Sequence, residues 1–590
     1  MIEAWSAADV RAAERPLLDA GVPLMERASF ALAAVVARDL ARVRSVVGPD
    51  GGRRDGRVAG ARAVLLVGSG NNGGDTLHAG AFLARRGVLV TAVVTSARPH
   101  AEGLAALRRA GGRTLDASGA SGASGASGAT DATDAGRAGG PTAEATGERA
   151  PAEPGTPAAE LGAPAAVGQD APGDAPLGRG VDEVLRADAV LDGLVGIGAT
   201  GPLRGAAADV VGRVADALGA APRRPWVVAV DAPSGIGVDD GTVPGPVLRA
   251  DRTVTFGAAK PGLLLPPATH AAGHGAVVDI GLALGGPAGP RPAVRRLEPA
   301  DVAALWSVPG PTDHKYTRGV VGVVAGTPTF PGAAVLVTTA AVRTGTGMVR
   351  YRGPDDVVRA VLAARPEVVA AGGRVQAWAL GSGVPAAGGD GGPGGADDDG
   401  GQHRRVRHAL AEVTAELSAD VTGAPVPAVV DAGALSLLPS RCPAWVVLTP
   451  HAGELATLLR ARGEDVSRAA VEAEPWRWAR RAHDVTGATV LLKGSATVVV
   501  GPGVTFAQAD APPWLATAGA GDVLAGVLGA LLAGHAERVV AEPALAAELA
   551  AAAALVHGLA AERANPGGPV AALDVADQVP RVVAELLAVR

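Results

Sequence analysis

The sequence has 590 residues, of which 48% are hydrophobic, and its 53 basic and 59 acidic side chains give a net charge of −6. This length exceeds what one hydrophobic core supports, so we expect two domains joined by linkers. A weakly acidic chain without a basic block does not suit nucleic acid or an anionic membrane surface as a partner, and its single cysteine, Cys442, excludes internal disulfides and cysteine-based metal clusters.

The same composition narrows the search for functional residues, because arginine has displaced most lysine and asparagine is nearly lost. The surviving residues of these two types are Lys260, Lys315, Lys493, Asn71, Asn72 and Asn565. A compact ammonium and a neutral amide cannot be replaced by a guanidinium and a carboxylate in a tight site. We therefore interpret the survivors as candidates for positions that accept no substitute.

The first 40 residues are typical of helices and not of a targeting signal. Ser6 and Asp9 form a capping arrangement, and an apolar stripe follows Pro23. The opening residues lack the basic and then apolar order of a signal peptide, and the alanine run at 550–554 is too short and too weakly apolar to span a bilayer. We expect a cytoplasmic protein without a membrane anchor.

A parallel sheet is predicted next. An apolar strand at 63–67 runs into the glycine-rich stretch 68–75, and a helix to Arg86 leads to a strand at 88–95. This order is typical of a parallel βαβ unit. Three more predicted strands end at Gly, Asp or Asn: 189–191, 226–230 and 252–256. Because ligands bind at the carboxyl ends of parallel strands, these loops should share one crevice.

Two low-complexity stretches interrupt the pattern. Residues 116–178 cannot bury enough apolar surface to fold, so we predict a disordered insertion there, and a second insertion at 386–402. A Gly/Pro-rich link at 287–296 suggests a division into domains 1–290 and 291–590.

A second α/β alternation is predicted after this link. Its strands are predicted at 319–325, 348–351, 378–380, 428–430, 445–448, 489–493 and 497–500, and its helices at 333–343, at 521–532 and from Glu548 onward. We expect a Rossmann-like three-layer α/β domain followed by another α/β domain, and two such domains on one chain suggest two linked reaction steps.

In the first domain the candidate binding residues lie directly after strands. Residues Asn71, Asn72, Gly73, Gly74 and Asp75 are predicted to form a turn that could wrap a phosphate or a sugar. The spacing is not that of a Gly-x-Gly-x-x-Gly dinucleotide fingerprint, so a hydride-transfer Rossmann enzyme is disfavoured. A further set, Asn72, Asp192 and Ser234, offers only oxygen ligands, which suits a hard cation. Taken singly, each of these residues could equally be a structural turn residue.

The ordered motifs of this half closely resemble the NAD(P)H-hydrate epimerase family, over about residues 1–285. They are Gly70-Asn71-Asn72-Gly73-Gly74-Asp75, Asp192-x-x-x-Gly196-x-Gly198, Asp231-x-Pro233-Ser234-Gly235 and Phe256-Gly257-x-x-Lys260-Pro261-Gly262. The resemblance implies that Asp231 acts near the reacting ring and that K⁺ sits between Asn72, Asp192 and Ser234. The implied substrate-binding residues are Asn71, Asn72, Gly73, Gly74, Asp75, Gly196, Ile197, Gly198, Ala199, Thr200, Gly201, Pro202 and Asp231. Thr76 stands where the family usually has glycine.

In the second domain the most informative stretch is 516–526, where small residues lead to Asp522 and a predicted helix. The unpaired N–H groups of such a helix start form a seat for an oxyanion, and a carboxylate beside it can take a proton from a hydroxyl. Considered alone, this stretch could be an ordinary glycine loop with a capping aspartate. His451 could likewise be a capping histidine and Lys493 a solvated strand end.

Together these motifs resemble the ADP-dependent NAD(P)H-hydrate dehydratase family, a branch of the ribokinase-like fold, over about residues 297–590. The resemblance implies an adenine nucleotide at Lys493, Gly494, Ser495, Ala496, Thr497 and Gly521, and Mg²⁺ as a further cofactor. It implies the hydrate near Ala333, Gly383, His451 and Asp522. The stretches 381–384 and 431–433 depart from the family pattern, the second by lacking a second acidic residue.

The resemblance implies repair of hydrated NADH and NADPH (NADHX and NADPHX). The first domain would interconvert the R and S hydrates at C6, and the second would use ADP to dehydrate the S hydrate, releasing AMP and phosphate. A homo-oligomer is also expected. Three alternatives stay open: a small-molecule kinase as the second domain, a non-catalytic nucleotide-binding module as the first, and a hydride-transfer oxidoreductase.

Overall fold

The computed structural model describes residues 1–47, 52–119, 175–286, 289–387, 400–414, 425–588 and 590. Its strands up to residue 278 are β1 (Ile2–Ala4), β2 (Val46–Val47), β3 (Arg53–Arg54), β4 (Arg62–Val67), β5 (Leu89–Val94), β6 (Arg113–Asp116), β7 (Ala189–Gly193), β8 (Trp226–Val230), β9 (Arg252–Phe256) and β10 (His274–Val278). The helices of the same part are α1 (Ala7–Asp19), α2 (Leu24–Val43), α3 (Asn71–Arg85), α4 (Ala101–Arg109), α5 (Ala175–Leu185), α6 (Gly205–Ala220), α7 (Pro261–Leu264) and α8 (Thr269–Ala272).

The C-terminal half contains the remaining elements. Its strands are β11 (Val294–Arg296), β12 (Val320–Val324), β13 (Met348–Tyr351), β14 (Ala377–Leu380), β15 (Ala428–Val430), β16 (Val446–Leu448), β17 (Thr489–Leu492), β18 (Thr497–Gly501) and β19 (Val504–Gln508). Its helices are α9 (Pro299–Leu305), α10 (Pro331–Thr344), α11 (Asp355–Ala364), α12 (Gln402–Thr414), α13 (Ala452–Arg460), α14 (Arg468–Ala473), α15 (Pro475–Thr486), α16 (Ala520–Gly534), α17 (Ala536–Ala541), α18 (Ala544–Ala564) and α19 (Ala572–Ala588).

The N-terminal half is a seven-stranded parallel sheet in the order β10-β9-β8-β7-β4-β5-β6. Alternate residues of β4 face two separate apolar cores: Leu65 packs with α2 and α3, and Leu66 packs with α5 and α6. A strand covered on both faces needs a continuous apolar run, which β4 has. The three-layer prediction is therefore confirmed. The strand order reverses between β4 and β7, and this is where a ligand crevice forms in such sheets.

The C-terminal half has a ten-stranded sheet in the order β1-β11-β19-β18-β17-β16-β15-β14-β12-β13. The strands from β13 to β17 pair in parallel, while β18 and β19 turn back as an antiparallel hairpin. The chain direction across the sheet reverses between β12 and β14. The loops that follow these two strands therefore line the second crevice.

The first strand of the chain belongs to the sheet of the C-terminal half. β1 pairs antiparallel with β11, and Ala4 lies in the apolar core of that half. The Trp5 N–H also donates to the Ala259 carbonyl at 2.9 Å, so the N-terminus touches both halves. The sequence predicted a linker up to Arg296, but β11 is a strand because the β-branched Val294 is fully buried between its neighbours.

Most of the predicted elements are confirmed within one or two residues, including β8, β9, β13 and β15 at the predicted bounds. Ser6 caps α1 by accepting from the Asp9 N–H at 3.1 Å, as predicted. The greater part of the two predicted insertions, 120–174 and 388–399, lies outside the described residues. Their edges carry regular structure, since Asp116 ends β6, α5 begins at Ala175 and α12 begins at Gln402.

Among the described residues one helix, α18, is long and apolar enough to cross a bilayer by length and composition, which corrects the expectation that its alanine run at 550–554 is too short and too weakly apolar. In the same residues, α1 with α2 would pass this test only as one span bent by 115°. Of the apolar window in α18, 83% is buried. It packs against α16, α19 and the sheet, so burial inside the C-terminal core accounts for its composition.

Candidate active sites

The predicted glycine turn at 71–75 is the start of a helix. Gly70 is its N-cap, in an extended conformation, and α3 begins at Asn71. Gly73 packs directly on the end of β4, where a Cβ would lie 2.5 Å from the Gly68 carbonyl oxygen. The first turn therefore presents helix N–H groups and the Asn72 side chain to the crevice, which corrects the expectation of a flexible loop.

The three residues predicted to hold K⁺ converge on one loop. Ser234 donates to Asp192 through its hydroxyl at 2.6 Å and its N–H at 2.8 Å. The Asn72 Nδ2 donates to the Val195 carbonyl at 2.8 Å, and the Val195 N–H donates to the Ser234 hydroxyl at 3.1 Å. The Asn72 Oδ1 is buried without a hydrogen-bond partner. An orphaned amide oxygen next to a carboxylate and a hydroxyl fits an alkali cation, which takes oxygen ligands.

Asp231 is paired with a buried lysine, Lys260, which the sequence marked only as rare and as part of a motif. The Lys260 Nζ lies 2.5 Å from Asp231 Oδ1, and it also donates to the Thr255 hydroxyl at 2.8 Å and to the Phe256 carbonyl at 3.0 Å. The Lys260 side chain is 1% exposed and that of Asp231 is 11% exposed. The scarcity of lysine was the signal that could have placed Lys260 in the site.

Two more carboxyl groups, those of Asp75 and Glu14, lie close enough to this pair for its charges to shift their pKa values. Burial, followed by the nearby Asp231 charge, raises the pKa of Asp75 to about 8. Burial also raises the pKa of Glu14, while the Lys260 charge opposes that rise. One carboxylate paired with an ammonium and one carboxyl group that is neutral near pH 7 form the kind of set that can divide base and acid roles.

The loop predicted to hold the substrate borders a cavity of about 240 Å³. Gly196, Ala199, Thr200, Gly201 and Pro202 line it, opposite residues that follow β8. Ile197 instead packs against two small apolar clusters. Gly198 is exposed, and a Cβ at this position would lie 3.8 Å from the Arg11 guanidinium. The loop therefore has one face toward the cavity and one toward α1.

In the C-terminal half, the predicted glycine corner leads into the start of α16, where an anion was predicted to bind. Gly519 is its N-cap, with a φ of +85° that favours glycine, and Asp522 lies in the first turn. Burial, followed by the Asp431 charge, raises the pKa of Asp522 to about 6, while Lys493 and Ser382 oppose that rise. Asp522 is thus ionised at neutral pH but close enough to titration to exchange a proton.

Asp431, which the sequence marked only as a departure from the family pattern, is the centre of this site. The Lys493 Nζ lies 2.8 Å from its Oδ1, and the Thr449 and Ser382 hydroxyls donate to its oxygens at 2.8 and 3.0 Å. Lys493 also lies 3.8 Å from the Glu454 carboxylate. Side chains from the ends of β14, β15, β16 and β17 therefore meet at one carboxylate.

The structure also brings together Ala333 and Gly383, two residues predicted to contact the hydrate. A Cβ at Gly383, whose φ is +66°, would lie 2.4 Å from that of Ala333. The loops after β12 and β14 are tied by the Gly326 N–H, which donates to the Ser382 carbonyl at 2.7 Å. Glycine is needed here because two loops approach closely.

His451 is the N-cap of α13, as one alternative for it suggested. Its Nδ1 accepts from the Gly453 and Glu454 N–H groups at 3.1 Å each, and Glu454 accepts from the His451 N–H at 2.9 Å. The ring is exposed, and His451 pairs with Lys493 through an isolated β-bridge. The capping box thus fixes an exposed imidazole beside Lys493.

The predicted nucleotide residues form the turn between β17 and β18. Gly494 and Ser495 are exposed, Lys493 and Thr497 are half-buried, and Ala496 is buried. Gly521 faces this turn, since a Cβ there would lie 3.3 Å from the Lys493 Nζ. The predicted nucleotide residues therefore lie together at the start of α16.

No group of three or more His, Cys, Asp or Glu side chains that could hold a metal ion occurs within the described ranges. The Asp431 carboxylate already accepts from three donors. Mg²⁺ is usually held by one or two carboxylates together with waters and substrate phosphates, so these residues define no Mg²⁺ site made of protein ligands alone. The search for such groups does not test the proposed K⁺ site, because Asn72, Asp192 and Ser234 include only one carboxylate.

Comparison with known proteins matches both halves. The sequence model described as NAD(P)H-hydrate dehydratase matches residues 321–581, and that of the YjeF-related protein N-terminus matches 22–127 and 148–262. The bifunctional NAD(P)H-hydrate repair enzyme Nnr of Mycobacterium tuberculosis is 38% identical over 545 residues, covering 90% of this chain and 89% of the relative. The NAD(P)H-hydrate epimerase of Clavibacter sepedonicus is 39% identical over 289 residues, covering 48% of this chain and 93% of the relative.

Among solved structures, the ADP/ATP-dependent NAD(P)H-hydrate dehydratase of Bacillus subtilis, co-crystallised with ATP and Mg²⁺, is 24% identical with a TM-score of 0.40 and covers 49% of this chain and 97% of that one. A ribokinase-like superfamily protein of Enterococcus faecalis is 19% identical with a TM-score of 0.41 and covers 50% of this chain and 96% of that one.

Proposed function

The chain belongs to the family of bifunctional NAD(P)H-hydrate repair enzymes, with an epimerase half followed by a dehydratase half, and we propose that the two carboxylate clusters described above carry the two reactions. This family membership favours repair over the kinase, binding-module and hydride-transfer alternatives. The residue roles below are inferred from geometry and charge.

In the epimerase half, Asp75 and Asp231 divide the proton transfers. Asp75, neutral because its pKa is about 8, gives a proton to the C6 hydroxyl, so the C6–O bond breaks and water leaves. The lone pair of the adjoining ring nitrogen stabilises the resulting cation at C6 by forming a C=N bond. Asp231, kept next to the Lys260 ammonium, takes a proton from the water that adds to the other face. The hydroxyl then has the opposite configuration.

Asn72, Asp192 and Ser234 would hold K⁺ in this half. The support is the orphaned Asn72 Oδ1 beside the Asp192–Ser234 pair. Bound K⁺ would supply a positive charge that offsets Asp192 and fixes the Val195–Pro202 loop. The proton transfers themselves need only the side chains named above.

In the dehydratase half, the β-phosphate of ADP would lie against the N–H groups at the start of α16, close to Lys493. Asp522 takes the proton of the C6 hydroxyl, whose oxygen attacks the phosphorus and releases AMP. Phosphate then leaves with the C6–O electron pair, and one of its oxygens takes the proton lost from C5. This forms the C5–C6 double bond of the reduced nicotinamide and frees phosphate.

Mg²⁺ would arrive with the nucleotide phosphates, since the protein offers no carboxylate set for it among the described residues. The substrates are small nucleotides, and a cytoplasmic location agrees with them. The homo-oligomer stays a prediction.

The observation that carries the proposal for the dehydratase half is Asp522 at the anion seat with a pKa of about 6. The experiment is to add ADP to a racemic hydrate and follow the absorbance of the reduced nicotinamide. Full recovery requires both activities, and recovery of half requires only dehydration. A stable phosphorylated product in place of NADH would indicate a kinase.

A further inference from the structure

The epimerase half touches the proposed nucleotide site of the dehydratase half through one side chain. His270, in α8, lies with its Nε2 2.6 Å from the Ser495 Oγ. Ser495 belongs to the turn between β17 and β18 that we propose binds ADP, so this inference rests on that proposed function. Both side chains are exposed, and a ligand in the turn can reach them.

The position of His270 is fixed by an anchor between the two halves. The Arg296 Nη2 donates to the Leu264 carbonyl at 2.9 Å and lies 3.4 Å from the Thr269 hydroxyl. Its Nε donates to the Ala507 carbonyl of β19 at 2.9 Å. Because Ala507 of β19 pairs with Val498 of β18, this arginine holds α8 against the end of the hairpin at which Ser495 lies.

The charge around His270 suits an anion. Burial and the nearby charges of Arg249 and Arg296 lower the pKa of His270. Two guanidinium groups therefore contribute positive charge near His270. A hydroxyl such as that of Ser495 has one proton and two lone pairs, so it can contact the imidazole and a nucleotide oxygen at once.

We propose that His270 completes the nucleotide site, binding a phosphate or ribose oxygen of the nucleoside diphosphate together with Ser495. The dehydratase active site then includes a residue of the epimerase half, and the full ADP affinity requires both halves on one chain. His270 is not part of the epimerase cluster, so the epimerase reaction does not depend on it.

The test is to titrate the full-length protein with ADP by calorimetry, in the absence of hydrate. We expect His270→Ala to weaken ADP binding about tenfold, as for loss of one hydrogen bond to a charged group, and His270→Gln to recover part of it because an amide can still contact Ser495. His274→Ala, an exposed histidine at the start of β10, is the matched control and should bind ADP like the wild type.

Epimerisation rates of all variants are measured beside the titration, and equal rates show that the N-terminal half is folded. If the wild type binds ADP and His270→Ala and His270→Gln bind it equally well, His270 is only a domain contact and this inference is wrong while the proposed function stands. If the wild type itself binds no ADP, the nucleotide-site proposal fails and this inference fails with it.

Discussion

Both halves of the molecule place a strand-end aspartate against a lysine, and the two pairs differ in their access to solvent. Lys260 and Asp231 are 2.5 Å apart, with the lysine side chain 1% exposed. Lys493 and Asp431 are 2.8 Å apart, with the lysine side chain 22% exposed. A sealed ammonium can only fix the charge of its own carboxylate, whereas an open one can also meet a phosphate.

The two sites also share an unusual backbone conformation. Within the described ranges, the non-glycine residues with positive φ are Asp231, at 66°, and Ala432, directly after Asp431, at 47°. Such conformations cost about 1–3 kcal/mol each and persist where the surroundings enforce them. Each half therefore keeps local strain at the carboxylate of its candidate site or directly beside it, and the two lysines differ in exposure.

The largest expected effect tests the open site. Asp522→Asn should slow ADP-driven recovery of reduced nicotinamide by about 10²- to 10⁴-fold, the usual contribution of a general base, and should leave epimerisation unchanged. The measurement is nicotinamide absorbance with the S hydrate and saturating ADP. Asp574→Asn, an exposed carboxylate in the first turn of α19, is the matched control. If the Asp522→Asn variant regenerated reduced nicotinamide at the wild-type rate, Asp522 would not be the general base.

The sealed pair should respond in stability as well as in activity. Lys260→Met leaves the Asp231 carboxylate without its counter-charge, so we expect loss of epimerisation and a decrease of about 3–5 kcal/mol in the unfolding free energy. Urea unfolding of the full chain measures the second effect. In the double variant with Asp231→Asn, stability should return because both charges are gone, while epimerisation stays lost. If Lys260→Met alone were as stable as the wild type, the charge of Lys260 would not be needed to stabilise the buried Asp231 carboxylate.

The sequence predicted the sheets well because their strands are continuous apolar runs with a clear period, as in β4 and β8. It missed β1 and β11 because each is three residues long and pairs with strands far away in the sequence: β1 pairs with β11 across about half of the chain, and β11 also pairs with β19. Local pattern carries no signal for such a contact.

The candidate sites divide in the same way. Asp231, Asp522 and the Asn72 set follow directly from motifs at strand or helix ends. The central position of Asp431 and the raised pKa of Asp75, which was predicted only as a binding residue, depend on neighbours on other strands and helices that only the folded chain brings close. The sequence could name Lys260 as rare, but its partner became known only from the structure.

The two halves should also have opposite pH limbs. In the proposed scheme Asp522 is the base, so dehydration should fall about tenfold per pH unit below its pKa of about 6. Asp75 is the proposed acid, so epimerisation should fall as the pH rises through about 8. Initial rates of each step across this range measure both limbs. Asp75→Asn should have a low rate without the alkaline limb, and epimerisation that rose above pH 8 in the wild type would contradict the acid role.

The smallest effect concerns Thr76, at a position where the resemblance described above implies glycine. Its side chain is fully buried, donates to the Asn72 carbonyl at 2.7 Å, and occupies the space where a Cβ of Gly193 would lie 1.8 Å from its Oγ1. It therefore fills the contact between α3 and β7 and does not line the cavity. Thr76→Gly should lower the unfolding free energy by about 1–2 kcal/mol and change the hydrate KM less than about twofold.

Thr76→Ala separates the two parts of that loss, since it removes the hydroxyl and keeps a helix-favouring Cβ. If Thr76→Gly instead changed the hydrate KM strongly at unchanged stability, the threonine would shape the binding surface. The difference from the family would then be one of substrate recognition. A stability effect alone means that the Thr76 side chain on α3 fills the space beside Gly193, which has no side chain of its own.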